Sequence, residues 1–452
     1  MKSWITELQK TAILAFPMVL NQVSQHLIQV IDAAMIGRVG VIPLAASAFA
    51  SSVFTIPIVF CYGLTLVVSI LVSSAYGEED QAKANHVLRV GLVVSTFVAV
   101  LLAGAFMLAA PMLSLFGQSQ EVLEQAGPYY LLLLGSLVPA IIFACHKNYM
   151  EAMNRPWLPL LVTIGMLLAN VGLNWVFIFG RMGIPAMGLT GAGIATLIAR
   201  ILAALALIAM VALGARWQFR FLSMDWFRIR LFEVREYLTL GLASGFQLIF
   251  EVSAFVFAAI MMGWISEATL AAHQIAINVA ASTFMVVLGI SFATTVRVGQ
   301  FLGRRDYVGL RRAGWVGWFA NVTFMSTCMV ALILTRNVIP TWFVVDPEVI
   351  VLAAGLLVIA GLFQVFDGVQ IAMMSSLRGM RDVKVPTVIV MFVYYGVCLP
   401  LAYVLAFKFG WDGTGIWVGL ATGLALSAVL LTVRFHWKSM SLVRDGVTPV
   451  RA

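Results

Sequence analysis

The chain is written in long apolar runs separated by short polar or Gly/Pro-rich breaks. Runs of about 20 residues or more suffice to cross a hydrocarbon core. They fall near 11–36, 45–76, 88–110, 128–152, 158–180 and 190–213, and again near 234–264, 269–298, 312–334, 349–377, 385–409 and 413–435. Sustained period-2 alternation, the mark of a membrane β-barrel, is absent. The pattern therefore predicts an all-α integral membrane protein with twelve transmembrane helices. Composition agrees: 62% of the residues are hydrophobic and 11% charged, whereas soluble domains carry about 25% charge.

The second set of runs repeats the first. Gly37, Gly63, Gly77, Asp80 and Gly91 recur as Gly263, Gly289, Gly303, Asp306 and Gly317, each displaced by 226 positions, and Leu44-Ala45-Ala46 recurs as Leu270-Ala271-Ala272. Matches on punctuating residues at one fixed offset indicate a duplicated unit. Six spans per unit return the chain to its starting side, so the copies are expected to be parallel. They would form two six-helix bundles related by a pseudo-twofold axis along the membrane normal. The corresponding division is a first lobe over 1–213, an inter-lobe linker over 214–233, a second lobe over 234–436 and a tail over 437–452. Repeat resemblance weakens after the third span of each half, where Pro159 matches Pro386 only at a shifted offset.

The net charge of +8 reports topology rather than a nucleic-acid partner. On the twelve-span reading, 23 of the 28 Lys and Arg residues fall to the side that holds both termini, including Lys147, Arg297 and Arg378 as loop charges. Only Arg38, Arg181, Arg336 and Lys408 fall to the other side, and Arg200 is left inside a span. By the positive-inside rule both termini are cytoplasmic. No cleavable signal is evident, since the first span is far too long for a signal-peptide core. The four cysteines show no ligand-like spacing and read as buried thiols.

Candidate chemistry lies in three acids inside spans: Asp32, Glu251 and Asp367. An ionised acid at the bilayer centre costs about 2.5–3.5 kcal/mol, so such residues point to a proton relay, a cation site or a counter-ion for a cationic cargo. The repeat register sets Glu251 opposite Gln25 and Asp32 opposite Ala258, so the halves have diverged in polar chemistry. Supporting polar candidates are Asn21, Gln25, Asn170, Asn174 and Thr196 in the first half, with Gln247, Gln274, Asn278 and Gln364 in the second. Carboxylate and amide oxygens are hard donors that suit Na+, which makes Glu251 and Asp367 the candidate ion pair of ligands. Phe250, Phe284, Phe363 and Met261 are candidates for lining a cargo site, because aromatic rings and thioethers suit lipophilic cations. Pro17, about four turns before Asp32 on the same helix, is the candidate hinge.

These residues bring a family into view. Gln29-Val-Ile-Asp32 followed by Met35-Ile-Gly-Arg-Val-Gly40, Ala271-Ala-His-Gln-Ile-Ala-Ile-Asn278, the Gly77–Asp80 and Gly303–Asp306 pair, the Glu251 span, and Gln364-Val-Phe-Asp367 running to Leu377-Arg-Gly379 resemble the multidrug and toxic compound extrusion (MATE) transporters of the bacterial NorM-like branch. The resemblance covers residues 5–435. It implies two lobes opening alternately, and export of cationic drugs and dyes against Na+ or H+. It further implies a bacterial inner-membrane location, a monomer in contact with membrane lipid, and no cofactor beyond the coupling ion. Carried over by motif, Glu251 and Asp367 become second-lobe cation ligands, and Asp32, Asn170 and Asn174 a first-lobe polar cluster, with Thr196 beside them. Pro17 matches the position where the first helix bends on protonation. Asn174 stands where some members carry an acid, and Phe363 lies near a Tyr of others, so the resemblance leaves Na+ against H+ open.

Three other classes fit less well, the first a channel, which a duplicated two-bundle chain with no filter-like loop does not suit. A lipid or lipid-linked-sugar flippase of a related two-lobe fold would favour a large basic cavity, whereas the internal ionisable residues here are mainly acids. A membrane enzyme would need a motif such as His-Glu-x-x-His or Gly-x-Ser-x-Gly, and the chain has none.

Overall fold

The computed structural model describes residues 2–213 and 229–447. The helices are α1 (Lys2–Gly37), α2 (Val41–Gly77), α3 (Gln81–Leu108), α4 (Gln120–Gly135), α5 (Leu137–Ala152), α6 (Trp157–Phe179), α7 (Gly188–Leu213), α8 (Leu231–Ile265), α9 (Glu267–Gly303), α10 (Tyr307–Thr335), α11 (Pro347–Gly379), α12 (Lys384–Phe392), α13 (Leu399–Tyr403) and α14 (Asp412–Val447). No strand occurs among the described residues. Among the described residues, eleven segments are long and apolar enough to cross a bilayer, with α4 and α5 forming one and 384–408 another. The twelfth long helix is α1, 36 residues in one piece around Pro17. Its apolar character is diluted by Asn21, Gln22, Gln25, His26, Gln29 and Asp32.

Helix ends follow from local chemistry. Asp80 accepts a bond from the Lys83 amide at 2.8 Å, and Asp306 from the Gly309 amide at 2.8 Å. Each satisfies an orphan donor of the helix it starts. The preceding residues, Glu79 at φ 60° and Arg305 at φ 59°, both take the left-handed conformation. One turn is therefore built twice at the 226 offset. A second turn is also repeated: Asn154 (φ 58°) after α5 and Arg381 (φ 59°) after α11. In each, two amides fold back, Asn154 to the Glu151 carbonyl and Arg155 to that of Met150, and Arg381 to that of Arg378 and Asp382 to that of Leu377. This pair is spaced by 227, so the repeat persists past the point where the sequence match fades. A one-residue difference, 28 residues in α3 against 29 in α10, accounts for the shift.

The chain forms two compact units: Leu20–Gly245, here unit N, and Met1–Val19 together with Phe246–Ala452, here unit C. The divisions cut through α1 and α8 instead of falling at 214–233. Of that expected linker, 214–228 lies outside the described residues, and α8 begins at Leu231. The expected tail from 437 is helical to Val447 as part of α14.

Within unit N, α2 packs on α3, α4 and α5, and α6 on α7. The first part of α8 is held there by Tyr237, whose hydroxyl donates to the Leu64 carbonyl at 2.9 Å, and by Gly63 against Gly245. A Cβ on Gly63 would overlap the Gly245 backbone. In unit C, α11 is the central helix, packed on α9, α10 and α14. The start of α1 docks there through Glu7, whose carboxylate accepts two bonds from Arg297, both 2.8 Å. Lipid offers no hydrophobic drive for helices to associate, so close backbone packing and such polar pairs carry the association.

Three charges counted as loop residues are instead buried within helices: Lys147 in α5, Arg297 in α9 and Arg378 in α11. Each reaches an internal polar partner, Gln22, Glu7 and Gln247 respectively. Hydropathy windows place such residues at helix ends but cannot tell an end that faces water from one capped by protein.

Candidate functional site

Unit C brings together a buried cluster of acids and amides. Glu251, in the middle of α8, lies one turn from Gln247, and α11 adds Gln364, Asp367 and Gln370 on successive turns of one face. Glu251 and Asp367 are each 7% exposed and act electrostatically on each other. Among the described residues, neither carboxylate accepts a hydrogen bond or joins an ion pair. Gln364, 1% exposed, leaves both its amide nitrogen and oxygen without a partner. The cluster also includes Tyr394, whose hydroxyl accepts from the Gln370 amide at 3.1 Å and lies within the field of both acids. It stands in a π-helical stretch, Val393–Cys398. Such wide turns re-aim side chains and concentrate at functional sites.

Phe363, one residue before Gln364, is buried with its ring edge-on to Phe255 (5.9 Å) and Trp417 (5.3 Å). The other lining candidates lie elsewhere. Phe250 packs on Phe246 and Tyr395 and, with Met391, Phe392 and Gly396, borders a separate aromatic depression of about 480 Å³. Phe284 rests on a small cluster of Val287, Met325 and Ile371. Met261 is buried in the main core. Gln274 and Asn278 are exposed on α9, on its opposite side from the buried His273 and Ile275.

Unit N holds a different cluster. Asn174 on α6 donates to the Asp32 carboxylate at 2.6 Å and, at 3.2 Å, to the side-chain oxygen of Asn170 one turn earlier. Arg200 on α7 acts electrostatically on Asp32 and donates to the Ser136 hydroxyl at 2.7 Å. Thr196, one turn before Arg200, is buried. Gln25 belongs to a second relay: it donates to Asn21 at 2.6 Å, which donates to Thr163 at 3.2 Å. Asp32 is thus anchored by donors, whereas Glu251 and Asp367 are not. Pro17 is buried in α1, two residues before the point where that helix passes from unit C to unit N.

Sequence reasoning missed Gln370, Tyr394 and the inward reach of Arg378. Gln370 had a usable signal, three residues after Asp367 on the same face. Tyr394 had none, because a π-helical stretch shifts the facing of residues that a 3.6-residue period assigns. Among the described residues no cluster of three or more His, Cys, Asp or Glu is placed to hold a metal.

A many-helix membrane fold in two units, each with buried acids on its spans, defines a polytopic transport-type protein. The chain belongs to the MatE family, whose profile matches residues 17–176 and 243–404. It is 35% identical to the probable multidrug resistance protein NorM of Mesorhizobium japonicum, over 99% of this chain and 96% of that protein. It is 34% identical to the multidrug resistance protein NorM of Burkholderia vietnamiensis, over 96% and 94%. In fold it is similar to the eukaryotic MATE transporter AtDTX14 (TM-score 0.87, 21% identity, 98% of this chain and 100% of that one). It is similar also to a MATE crystal structure in the bent conformation (TM-score 0.89, 19% identity, 98% and 99%).

Proposed function

We infer that the chain is a multidrug efflux antiporter of the bacterial inner membrane, with both termini cytoplasmic. It exports lipophilic and cationic drugs and dyes in exchange for Na+ or H+ by alternating access. The observation that carries this reading is the pair of buried carboxylates, Glu251 and Asp367, with no protein donor to hold them. A buried charge without a partner is costly, and a cation or a proton removes that cost. Cargo and ion then compete for the same negative charge, which makes their movement an exchange. Relatives named multidrug resistance proteins and the aromatic walls around Phe363 and Phe250 support the cargo class. In unit N, Asp32 with Asn174 and Asn170 would serve as a second protonation or ion site, and Pro17 as the bend that couples its state to α1.

The test is dye efflux from proteoliposomes, at fixed pH with sodium gradients and then with a proton gradient in sodium-free buffer. One of the two should drive efflux, and Glu251→Gln and Asp367→Asn should abolish it. Efflux that persists in both variants at wild-type rate would remove the carboxylates from the mechanism.

A further inference from the structure

Arg378 lies beside the unit C acid cluster. It follows Asp367 by eleven residues on α11, about 16 Å along the axis, where that helix ends. Its guanidinium donates to Gln247 at 2.8 Å, and Gln247 lies one turn from Glu251 toward the start of α8. Along α11 the order is therefore Asp367, then Arg378, then the helix end, and along α8 Gln247 precedes Glu251 by one turn. Arg378 is 2% exposed, and its Nε has no partner. It acts on Glu251 through space without forming an ion pair with it.

A purely structural arginine here would be expected to pair with the carboxylate, since burying both charges apart is the costlier arrangement. Holding the cation on a neutral amide, short of the acid, instead keeps a fixed positive charge beside the acid cluster. Unit N differs at this place: at the 227 offset Arg378 falls on Glu151, an acid, and the nearby buried Lys147 reaches both Gln22 at 3.1 Å and Glu151 at 3.9 Å.

We propose that Arg378 is a fixed-charge barrier closing the Glu251 and Asp367 cluster to cations on the side where α11 ends. An ion held by Glu251 and Asp367 then cannot pass through without a change that moves the guanidinium aside. A positive group in a narrow polar path excludes cations in this way in other pores. Arg378 is a positioning and selectivity residue, and the proposal rests on the antiport reading above.

The test uses the full-length protein in liposomes, with leak of 22Na+ and of H+ measured in the absence of dye. Arg378→Gln and Arg378→Met remove the charge, the second keeping an apolar side chain that fills the space if the first fails to fold. Arg378→Lys keeps the charge. The neutral variants should leak about tenfold faster than wild type, equivalent to roughly 1.4 kcal/mol of barrier, and export fewer dye molecules per ion. The lysine variant should stay tight. Folded neutral variants as tight as wild type would overturn the barrier, as would a lysine variant that leaks like them. Wild-type vesicles that exchange no ion for dye would instead overturn the antiport reading.

Discussion

Asp367→Asn should make the empty protein harder to unfold while removing its response to the coupling ion. The substitution preserves shape and deletes one charge from a side chain that is 7% exposed and has Glu251 beside it. Ionised at the bilayer centre, that carboxylate costs about 2.5–3.5 kcal/mol. The asparagine amide keeps unsatisfied polar groups, worth about 1–3 kcal/mol. The net gain without ion, taking the middle of each range, is about 1 kcal/mol. A ligand at a hundred times its Kd stabilises by about 2.7 kcal/mol, and only wild type should receive that. The order of stabilities should therefore cross: the variant ahead without ion, wild type ahead by roughly 1.7 kcal/mol at saturation. Thermal unfolding read by a thiol-reactive fluorophore suits this chain, because Cys61, Cys145 and Cys398 are buried and become reactive on unfolding. Sodium is titrated at fixed pH, and pH in sodium-free buffer. A variant that keeps the wild-type ion or proton response, or is less stable without ion, refutes the reasoning.

Four further outcomes follow from the geometry. Arg297→Met strands the buried Glu7 carboxylate and should cost about 3–5 kcal/mol, with Glu7→Leu added to it restoring most of the unfolding temperature. Gly289→Val places a Cβ 2.5 Å from the Cα of Val19 and should destabilise by about 1–3 kcal/mol, measured the same way. Asn174→Leu removes the 2.6 Å donor from Asp32, a charge-assisted bond worth about 1.5–3 kcal/mol. Its efflux should shift in pH dependence while its dye affinity holds, both measured in proteoliposomes. Pro17→Ala restores a backbone donor inside α1 and should slow turnover without weakening dye binding in detergent.

The fold class was legible because it depends on one-dimensional quantities: run length, hydropathy and the spacing of Gly and Asp. The turns at Asp80 and Asp306 could be named from sequence because an aspartate cap acts over three residues. The acids were legible for a similar reason, since a charge in an apolar run is conspicuous without any coordinates. Their companions were not. Asn174 meets Asp32 across 142 positions, and Arg297 meets Glu7 across 290, distances at which spacing carries no information.

The amino-acid sequence by itself determined that this chain crosses a membrane many times, that it was built by duplication, and which few side chains carry charge into apolar surroundings. Only tertiary structure decided which of those charges are anchored. It gives Asp32 a donor, leaves Glu251 and Asp367 without one, and turns Arg378 from an apparent loop charge into a buried neighbour of the acids. It also places the start of α1 in the same compact unit as the second half of the chain. The physical reason is that burial cost is written in composition, residue by residue. The partners that offset it come from other helices, and hydrogen bonds of about 3 Å are settled by packing alone.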